Sequence, residues 1–409
     1  MLDNPFNGNN FQSIWLKHFR PARKDLSFES IKHIKFFKDK YFPLYVNIGK
    51  NISNGMYFEI DETKDDFKGK TFLIYDVPEY FNIKTEGFKQ LKIKKARQYK
   101  GYAADLTNFK SFEDYFNYKF KSKSRYKYNR NIARLEACFN VKYEIYHGEI
   151  DKYTYDIAYT YLIDIIQRRF DSIGLDNNIV SKKDYYKELA YRMILNKEAV
   201  LVLIYNDSEP ISISLGFLSD DIMFFAITTF NIDYYRFNLG HITIMKLLEW
   251  CFERNLKMFD FSKGKYDYKD RWSNLEYSFH CHIIYDSKSI KSSIIAYFIS
   301  LVFNFKQNLR DRKINYLFSK VKFILKGSKN SNQTLKNFVV KETQELFNKN
   351  EVEEIDWLNS EYEFLKAPLF DYLYGNPEKI DKIKIYKNKN NPDLFYVKGD
   401  VVNLKIVSS

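Results

Sequence analysis

Short apolar runs separated by turn residues dominate the first third of the chain. Segment 11–19 has apolar residues at helical spacing, whereas later runs combine β-branched and aromatic residues as strands do. Three runs have this strand composition: 41–48, 56–60 and 71–78. Ser111 then has the position of a helix N-cap, and apolar residues recur at helical spacing from there to about Cys138. The pattern predicts a first unit that ends with one long helix and a strand at 141–148.

A second unit begins near Asp151 with a different order of elements. Two helical stretches, at 155–170 and 182–195, precede three strand-like runs that hairpin-turn residues separate. The remaining predicted elements are a helix from His241, strands at 256–262 and 275–285, and an amphipathic helical stretch at about 287–325. This order predicts an α/β layered unit built on a mixed sheet.

A run of small and polar residues, GSKNSNQ at 327–333, is the clearest linker in the chain. An acidic helical part around 342–364 and a β-hairpin at 380–407 are predicted after it. We therefore predict three parts: an N-terminal unit at 1–150, a second unit at 151–326 and a small α+β appendix at 334–409. The two large units have similar size and a similar order of helices followed by strands, which is consistent with a diverged tandem duplication. The predicted fold class is α/β, with mixed central sheets flanked by helices.

Composition agrees with a folded two-domain protein. The 409 residues are 45% hydrophobic and 18% aromatic, which is enough for a large core and excludes a disordered or fibrous chain. Three scattered cysteines form neither a disulfide framework nor a zinc ribbon, so a reducing compartment is expected. The start lacks the pattern of a secretory signal, and no apolar run is long enough to span a bilayer. We expect a cytoplasmic protein without a membrane span, with peripheral attachment to an inner membrane as an alternative.

Positive charge is concentrated in one segment. Residues 84–134 contain fifteen cations and four carboxylates, so +11 of the net charge of +13 falls there. Such a field attracts phosphates, whether on a nucleotide cofactor, a nucleic acid, a membrane or a nucleotide-linked sugar.

The segment 224–272 carries the chemistry on which the functional interpretation depends. An apolar strand leads into a turn with Arg236, Asn238 and Gly240, and a helix begins at His241. Helix N-termini present free N–H groups and a positive dipole end, and a glycine lets a ligand approach the backbone closely. The arrangement suits a pyrophosphate, but a helix after a glycine-containing turn is common, so the residues that follow decide the interpretation.

A second motif follows this helix at fixed spacing. It consists of Asp260-Phe261 at a strand end and then Gly264-x3-Tyr268-Lys269-x2-Trp272. Together with the Tyr235-Arg236-x3-Gly240 turn, it resembles the GNAT acyltransferase superfamily, in particular the CelD-like branch of cellulose-biosynthesis acetyltransferases. The resemblance covers about 151–285. The basic helix before it is similar to the helix that crosses between the halves of Fem-type transferases, which pair two GNAT-like domains. One departure is that Leu239 and His241 occupy glycine positions of the superfamily's fuller phosphate loop.

The resemblance implies an acyl-CoA co-substrate, either acetyl-CoA or another acyl-CoA, and no metal. The strand residues Ala226, Ile227 and Thr228 would hold the pantetheine arm and offer a backbone N–H to the thioester carbonyl. The pyrophosphate would lie among residues of the turn and the helix start: Arg236, Asn238, Gly240, His241, Ile242 and Thr243.

Three residues are candidates for the chemical step, in which an acceptor amine attacks the thioester directly. Asp260 is the candidate for acceptor binding or general base, and Tyr268 is the candidate for protonating the leaving thiolate. Lys269 would stabilise negative charge or bind a phosphate. Each also has a structural interpretation: a turn cap for Asp260, aromatic packing for Tyr268 and a solvated cation for Lys269.

Other residues are weaker candidates. Gln167, Arg168 and Arg169 end a helix and, with Trp272, would contact an anionic acceptor, although cations also stabilise a helix C-terminus. His280 and His282 alternate on one strand, but no carboxylate pair or CxxC accompanies them, so no metal site is predicted.

The apolar segment 294–303 fits packing between the two large units better than an amphipathic helix on a membrane surface.

Three functions are consistent with these patterns. The first is a tandem-GNAT acyltransferase that acts on an amino group of a sugar or amino acid, with a small molecule or glycan precursor as acceptor. The second is a Fem-like transferase that takes an aminoacyl group from tRNA, with the 119–134 helix as its RNA surface. The third is a non-catalytic nucleic-acid-binding protein, although the cations surround the basic helix instead of forming a stripe. The sequence leaves the oligomeric state open.

Overall fold

A computed structural model describes residues 4–171, 177–312, 338–342, 349–400 and 403–408. Within these ranges the helices are α1 Asn9–Phe19, α2 Phe112–Lys119, α3 Ser122–Cys138, α4 Lys152–Asp171, α5 Lys183–Leu195, α6 Leu239–Glu253, α7 Asp267–Trp272, α8 Ile290–Asp311 and α9 Lys366–Gly375.

The strands of the larger sheet are β1 Leu26–Phe28, β2 Ile31–Lys38, β3 Leu44–Asn47, β4 Glu59–Ile60, β5 Thr71–Pro78, β6 Leu91–Asp105, β7 Val141–Tyr146, β8 Ala199–Asn206, β9 Glu209–Leu218, β10 Ile222–Phe230, β11 Met258–Lys263 and β12 Leu275–Asp286. Their order is β1-β2-β3-β5-β12-β6-β11-β10-β9-β8-β7, with β4 beside β2. The sheet is mixed, because β3 is parallel to β5 and β10 is parallel to β11, while the other pairs are antiparallel. The predicted α/β class, with a mixed sheet between helices, is confirmed.

Strand β6 joins the two halves of this sheet. It pairs with β12 on one edge and with β11 on the other, so the late strand β12 lies between the early strands β5 and β6. The sequence pattern did not indicate β6, because basic residues occupy most of its first half and conceal the apolar alternation. Only three side chains of that half are buried, Leu91, Ala96 and Gln98, and only the last two have the period-two spacing of a strand.

Core residues lie on both faces of the sheet. In β8, Leu201 and Leu203 pack into one cluster with α1, α4 and α5, while the alternating Val200 and Val202 pack into another with α2 and α6. Alternation along a strand sends successive side chains to opposite faces, so these helices form layers on the two sides of the sheet.

The predicted long helix after Ser111 is two helices. The N-cap is confirmed, since Ser111 Oγ accepts a hydrogen bond from the Asp114 N–H at 3.2 Å. The helix breaks at Phe120 and Lys121, which have extended backbone angles. Phe120 is buried against Trp272, with ring centroids 4.6 Å apart, so tertiary packing overrides helix continuation at this point.

The appendix contains a second sheet. Its strands are β13 Phe338–Glu342, β14 Val352–Ile355, β15 Lys384–Asn388, β16 Leu394–Lys398 and β17 Asn403–Ser408, in the order β13-β17-β16-β15-β14. The predicted hairpin is confirmed by the antiparallel β15–β16 pair. The predicted helix around 342–364 is wrong at 352–355, which is a strand whose partner β15 supplies the hydrogen bonds, whereas Ser360–Leu365 forms a short 3₁₀-helix. The predicted linker 327–333 and the part of 287–325 beyond Arg312 lie outside the described residues.

None of the helices in the described ranges combines the length and the apolar character that crossing a bilayer requires.

Candidate functional site

Strands β10 and β11 separate halfway along their length. They pair in parallel from Ile222–Met258 to Phe224–Asp260, and the ladder ends there. On its other edge β10 has a β-bulge between Phe225 and Ile227, which leaves Ala226 as the extra residue. The second half of β10 therefore offers backbone N–H and C=O groups along an open edge that a ligand can pair with.

The turn after β10 directs the start of α6 toward this opening. Asn238 has a left-handed backbone with φ 56°, a conformation that asparagine tolerates better than most residues. Leu239 follows as the first residue of α6, and its side chain is fully buried. Leu239 occupies a position where the fuller phosphate loop has glycine, and its side chain is accommodated in the core. The helix still begins at the opening between β10 and β11.

A cavity of about 370 Å³ lies between β10, α6 and α7, and we call it the donor cavity. Its lining residues are Arg169, Phe225, Thr228, Phe230, Tyr235, Asn238, Gly240, His241, Ile244, Asp267, Tyr268 and Arg271. Apolar side chains form one wall, while Arg169 and Arg271 supply positive charge near the N-terminus of α6. This combination suits a ligand with an apolar arm and a phosphate group.

The structure brings part of the predicted donor set into this cavity. Thr228, Asn238, Gly240 and His241 line it, as does the proposed proton donor Tyr268. Ala226 lies at the bulge beside it.

Three other predicted donor residues contribute differently. Ile227, Ile242 and Thr243 have buried side chains, so any contribution to ligand binding would come from their backbone.

The predicted pyrophosphate contact of Arg236 is corrected. Its side chain is exposed, its Nε lies 3.4 Å from the Asp371 carboxylate of α9, and it does not line the cavity.

The pKa of Tyr268 is raised to about 12, because burial disfavours the phenolate. Tyr268 therefore carries its proton at neutral pH.

His241 is neutral and held by Trp272. The indole Nε1–H donates to His241 Nδ1 at 2.8 Å, and burial lowers the pKa of His241 to about 4, with the Arg271 charge adding to the effect. Trp272 itself is fully buried between Phe116 and Phe120, so its predicted contact with substrate is corrected. It positions the histidine ring that lines the donor cavity.

Asp260 is completely buried among tyrosines. Its carboxylate accepts hydrogen bonds from Tyr80 and Tyr277 hydroxyls, each at 2.7 Å, and from the Ser262 N–H at 2.6 Å. Burial raises its pKa to about 6, although these hydrogen bonds oppose the shift. Direct contact with an acceptor, as predicted for Asp260, is corrected, because its oxygens are occupied and it lines no described cavity.

Gly101 is required for this arrangement. A Cβ there would come within 2.3 Å of the Tyr277 ring, so only glycine leaves room for the tyrosine that binds Asp260.

Lys269 is also buried, and it binds the end of β11. Its Nζ donates to the carbonyl of Lys263 at 2.6 Å and to that of Ser262 at 3.3 Å. Burial lowers the pKa of Lys269 to about 8, and Asp260 partly opposes this shift. Ser262 has φ 62°, so the ammonium holds a strand end with an unusual backbone. The predicted direct phosphate contact is therefore corrected to a positioning role.

The predicted acceptor residues of α4 diverge. Gln167 is exposed, and Arg168 pairs with Glu363 at 3.2 Å and with Asp233 at 3.8 Å. Arg169 turns the other way and stacks over Phe230, 5.5 Å from the ring centroid, in the donor cavity.

A second cavity, of about 600 Å³, lies on the other side of the loop that follows β11, and we call it the basic cavity. Its lining residues are Lys50, Asn51, Tyr75, Asp76, Gln98, Tyr99, Lys263, Gly264, Tyr266, Phe303, Lys306 and Arg310. Four of them are cations and one is a carboxylate. No sequence pattern indicated this cavity, because its residues come from five separate segments that only the fold brings together.

One loop separates the two cavities. Gly264 and Tyr266 line the basic cavity, and Asp267 and Tyr268 line the donor cavity. The rings of Tyr266 and Tyr268 stack with centroids 6.0 Å apart, so the cavities adjoin through this tyrosine pair.

Asp76 lies at the wall of the basic cavity with a positive φ of 62° and very little exposure. It forms an ion pair with Lys263 and accepts a hydrogen bond from Ser53 at 3.2 Å. The Asp76 carboxylate of β5 and the Tyr268 hydroxyl of α7 thus line the two cavities on opposite sides of this loop.

The histidine pair of β12 lines a separate hollow with Glu79 and Lys95. His282 is buried, and its pKa is lowered to about 3, mainly by burial. Within the described residues, no three side chains of the His, Cys, Asp or Glu type form a group that could hold a metal ion.

Residues 122–270 match the sequence model of a family described as acetyltransferase (GNAT) domain. This region contains β10, α6, β11 and the loop between the two cavities. The match covers about a third of the chain. No curated protein sequence matches the chain.

Several solved structures align with much of the chain at low sequence identity. FemX is 11% identical, with 65% of this chain and 86% of that chain covered and a TM-score of 0.45. A conserved protein of unknown function from Bacteroides thetaiotaomicron is 10% identical, with 69% and 92% covered and a TM-score of 0.44. L-PGS from Bacillus licheniformis is 10% identical, with 74% and 98% covered and a TM-score of 0.41.

Proposed function

We propose that the chain is an acyltransferase of the CelD-like branch, which moves an acyl group from acyl-CoA to an amino group. Acetyl-CoA is the simplest donor, and the acceptor is a small molecule or a glycan precursor of envelope or polysaccharide biosynthesis. The observation that carries this proposal is the open edge of β10 beside the N-terminus of α6, in the region that matches the GNAT domain.

In this proposal the donor lies along β10. The pantetheine arm pairs with the open strand edge, and the phosphates lie near the α6 N-terminus, Arg169 and Arg271. A backbone N–H at the Ala226 bulge would stabilise the developing oxyanion of the thioester.

The acceptor amine enters from the basic cavity and attacks the thioester carbonyl. Asp76 is the carboxylate that would take the proton from the ammonium, and Tyr268 would donate a hydrogen bond to the departing thiolate. Because a thiolate with an ordinary pKa near ~8.5 is a weaker base than the Tyr268 phenolate, the hydroxyl stabilises the thiolate while the C–S bond breaks, and the thiolate takes its full proton from water. The four cations favour an acceptor that carries a carboxylate or phosphate besides its amine.

Aminoacyl transfer from tRNA is the second candidate. One observation favours it: α3 runs beside the donor cavity, since the rings of Tyr128 and His241 are 5.1 Å apart. However, Arg125 donates to the Phe120 carbonyl, and Arg130 and Arg134 contact Tyr374 of α9. The appendix thus occupies cations of α3 that an RNA backbone would need, which favours acyl-CoA.

Thiol release tests the proposal. The purified chain is incubated with acetyl-CoA and longer acyl-CoAs against amino sugars, amino acids and their phosphorylated or nucleotide-linked forms. We expect acceptor-dependent thiol release, with turnover reduced ~10²-fold or more in Tyr268→Phe and unchanged in Tyr118→Phe, an exposed tyrosine of α2. Transfer from aminoacyl-tRNA without thiol release from any acyl-CoA would contradict acyl-CoA as donor, and salt-sensitive RNA binding without any transfer would contradict catalysis.

A further inference from the structure

Helix α8 exposes a continuous stripe of large apolar side chains. We call it the α8 stripe; its members, between 49% and 80% exposed, are Ile290, Ile294, Tyr297, Phe298, Leu301 and Phe305. At 3.6 residues per turn they fall within an arc of about 100°, and at ~1.5 Å per residue the stripe is about 22 Å long. Soluble proteins rarely expose a contiguous apolar surface of this size without a binding role.

The opposite side of α8 accounts for its attachment to the protein. Ser292 and Ala296 are its buried residues, and Ile299 and Phe303 pack against the main core. The helix therefore has two apolar faces, one packed against the protein core and one exposed to the surroundings. The predicted packing describes only the first face.

Basic groups border the α8 stripe. The Lys94 ammonium of β6 lies over the Tyr297 ring, 4.9 Å from its centroid, and Lys288 and Lys291 are exposed at the N-terminal end of the helix. Lys306 and Arg310 lie near the C-terminal end of α8 but on the other side of the helix, where they line the basic cavity. The single carboxylate of α8, Asp311, is neutralised by Arg97 at 2.6 Å.

We infer that the α8 stripe docks on the surface of an anionic lipid bilayer, with α8 lying in the plane of the headgroups. An apolar face bordered by lysines is the composition of helices that bind in this interface. Apolar side chains enter the acyl boundary, while the flanking ammonium groups contact lipid phosphates. This inference does not depend on the proposed acyltransferase chemistry.

The positive charge around the α8 stripe favours an anionic bilayer over a second copy of the chain as its binding partner. A second copy of the chain would bring the same cations against these cations, because a two-fold interface pairs each patch with itself. Docking on an anionic surface instead lets Lys94, Lys288 and Lys291 gain contacts.

The position of the basic cavity agrees with this orientation. Phe303, Lys306 and Arg310 line that cavity from the same helix whose outer face carries the stripe. A bilayer beneath α8 therefore lies about one helix diameter from a cationic cavity.

Vesicle flotation of the full chain at 0.15 M salt tests the inference. Neutral phosphatidylcholine vesicles are compared with vesicles that contain 30 mol% phosphatidylglycerol. We expect flotation with the anionic vesicles, at least ten-fold more than with neutral ones, and weakening at 0.5 M salt. The double variant Phe298→Glu, Leu301→Glu should lose at least ten-fold of this binding.

Tyr118→Glu combined with Tyr153→Glu is the matched control. It introduces the same two charges at exposed positions, 67% and 77%, on other helices, and should float as the wild type does. Flotation that is absent in the wild type, or equal in the stripe variant and the wild type, would overturn the inference. Lipid-free dimerisation that the stripe variant abolishes would overturn it as well, in favour of a second copy.

A fluorescent variant gives an independent readout. Phe298→Trp keeps an aromatic side chain at the centre of the stripe, and its emission should shift to the blue when anionic vesicles are added. Tyr153→Trp should show no such shift. An unchanged Phe298→Trp spectrum in the presence of anionic vesicles would contradict insertion of the stripe.

Discussion

At the scale of single residues, the conspicuous polar side chains of the second motif hold the site without lining it. Asp260 binds two tyrosines and a backbone N–H, and Lys269 binds two backbone carbonyls. Because both side chains hydrogen-bond to the backbone at the end of β11, they fix the loop that separates the two cavities. In our proposal the residues that act on a ligand are Tyr268 and Asp76, which line the cavities on the two sides of that loop.

Asp260 should make stability depend on pH in a defined window. Its pKa is raised from 3.8 to about 6 by burial, so the protonated form contributes stability below about pH 4 that is lost as pH rises through 6. Relative to Asp260→Asn, which does not titrate, the wild-type free energy of unfolding should fall by about 3 kcal/mol between pH 4 and pH 7. Urea unfolding across this range measures the difference. Parallel pH profiles of the two proteins would contradict a buried, titrating carboxyl group.

Lys269 should matter mainly for stability. Lys269→Met removes the ammonium and leaves the carbonyls of Ser262 and Lys263 without their donor, which should cost about 1–3 kcal/mol. Lys265→Met, an exposed lysine of the same loop, should change stability by less than ~0.5 kcal/mol. Chemical unfolding of both variants measures this. Equal stability of the two variants would contradict the positioning role.

At the scale of elements, the sequence predicted the helices and turns that depend on residues close together in the chain. The N-cap at Ser111, the β15–β16 hairpin and the helix after Gly240 follow from capping, turn residues and periodicity. Strand β6 and the helix break at Phe120 did not follow, because both depend on partners distant in the sequence, β12 and Trp272.

The residues of the candidate site likewise fall into those that one contiguous motif predicted and those that only the fold brings together. Asn238, Gly240, His241 and Tyr268 were predicted from one contiguous motif, and they line the donor cavity. The basic cavity combines side chains from segments up to 260 positions apart, from Lys50 to Arg310, which no local pattern could associate.

The start of α6 depends on one backbone conformation. Asn238→Val places a β-branched side chain at φ 56°, which should cost about 1–2 kcal/mol and displace the helix N-terminus from the donor cavity. Asn238→Gly is the control, because glycine adopts this conformation without strain. We expect acetyl-CoA affinity to fall in the valine variant and to be kept in the glycine variant. Equal affinities in a binding titration would show that this turn does not position the donor.

At the scale of the whole molecule, the appendix is part of the folded body. Helix α9 packs on the turn before α6 and on α3, and one hydrophobic cluster joins Phe139, Tyr234 and Phe237 to Leu369 and Phe370. The Arg236–Asp371 ion pair lies at the same contact. The appendix therefore supports the turn from which α6 starts.

Shortening a buried side chain between α9 and the turn before α6 should lower both the stability of the protein and its affinity for acetyl-CoA. Leu369→Ala empties a fully buried position and should cost about 2–5 kcal/mol, with weaker acetyl-CoA binding because the turn loses its support. Leu358→Ala removes a leucine that is 65% exposed in the same appendix and should leave both properties unchanged. Thermal unfolding with and without acetyl-CoA measures the two effects. A Leu369→Ala protein with wild-type stability would contradict the packed interface.

Calorimetric titration of the full chain with acetyl-CoA tests the central claim most directly. The donor cavity predicts saturable binding at one site, at least ten-fold weaker in Arg271→Glu and unchanged in Arg254→Glu, an exposed arginine at the far end of α6. Wild-type protein that releases no heat with any acyl-CoA, or a folded Arg271→Glu variant that binds as tightly as the wild type, would contradict the account.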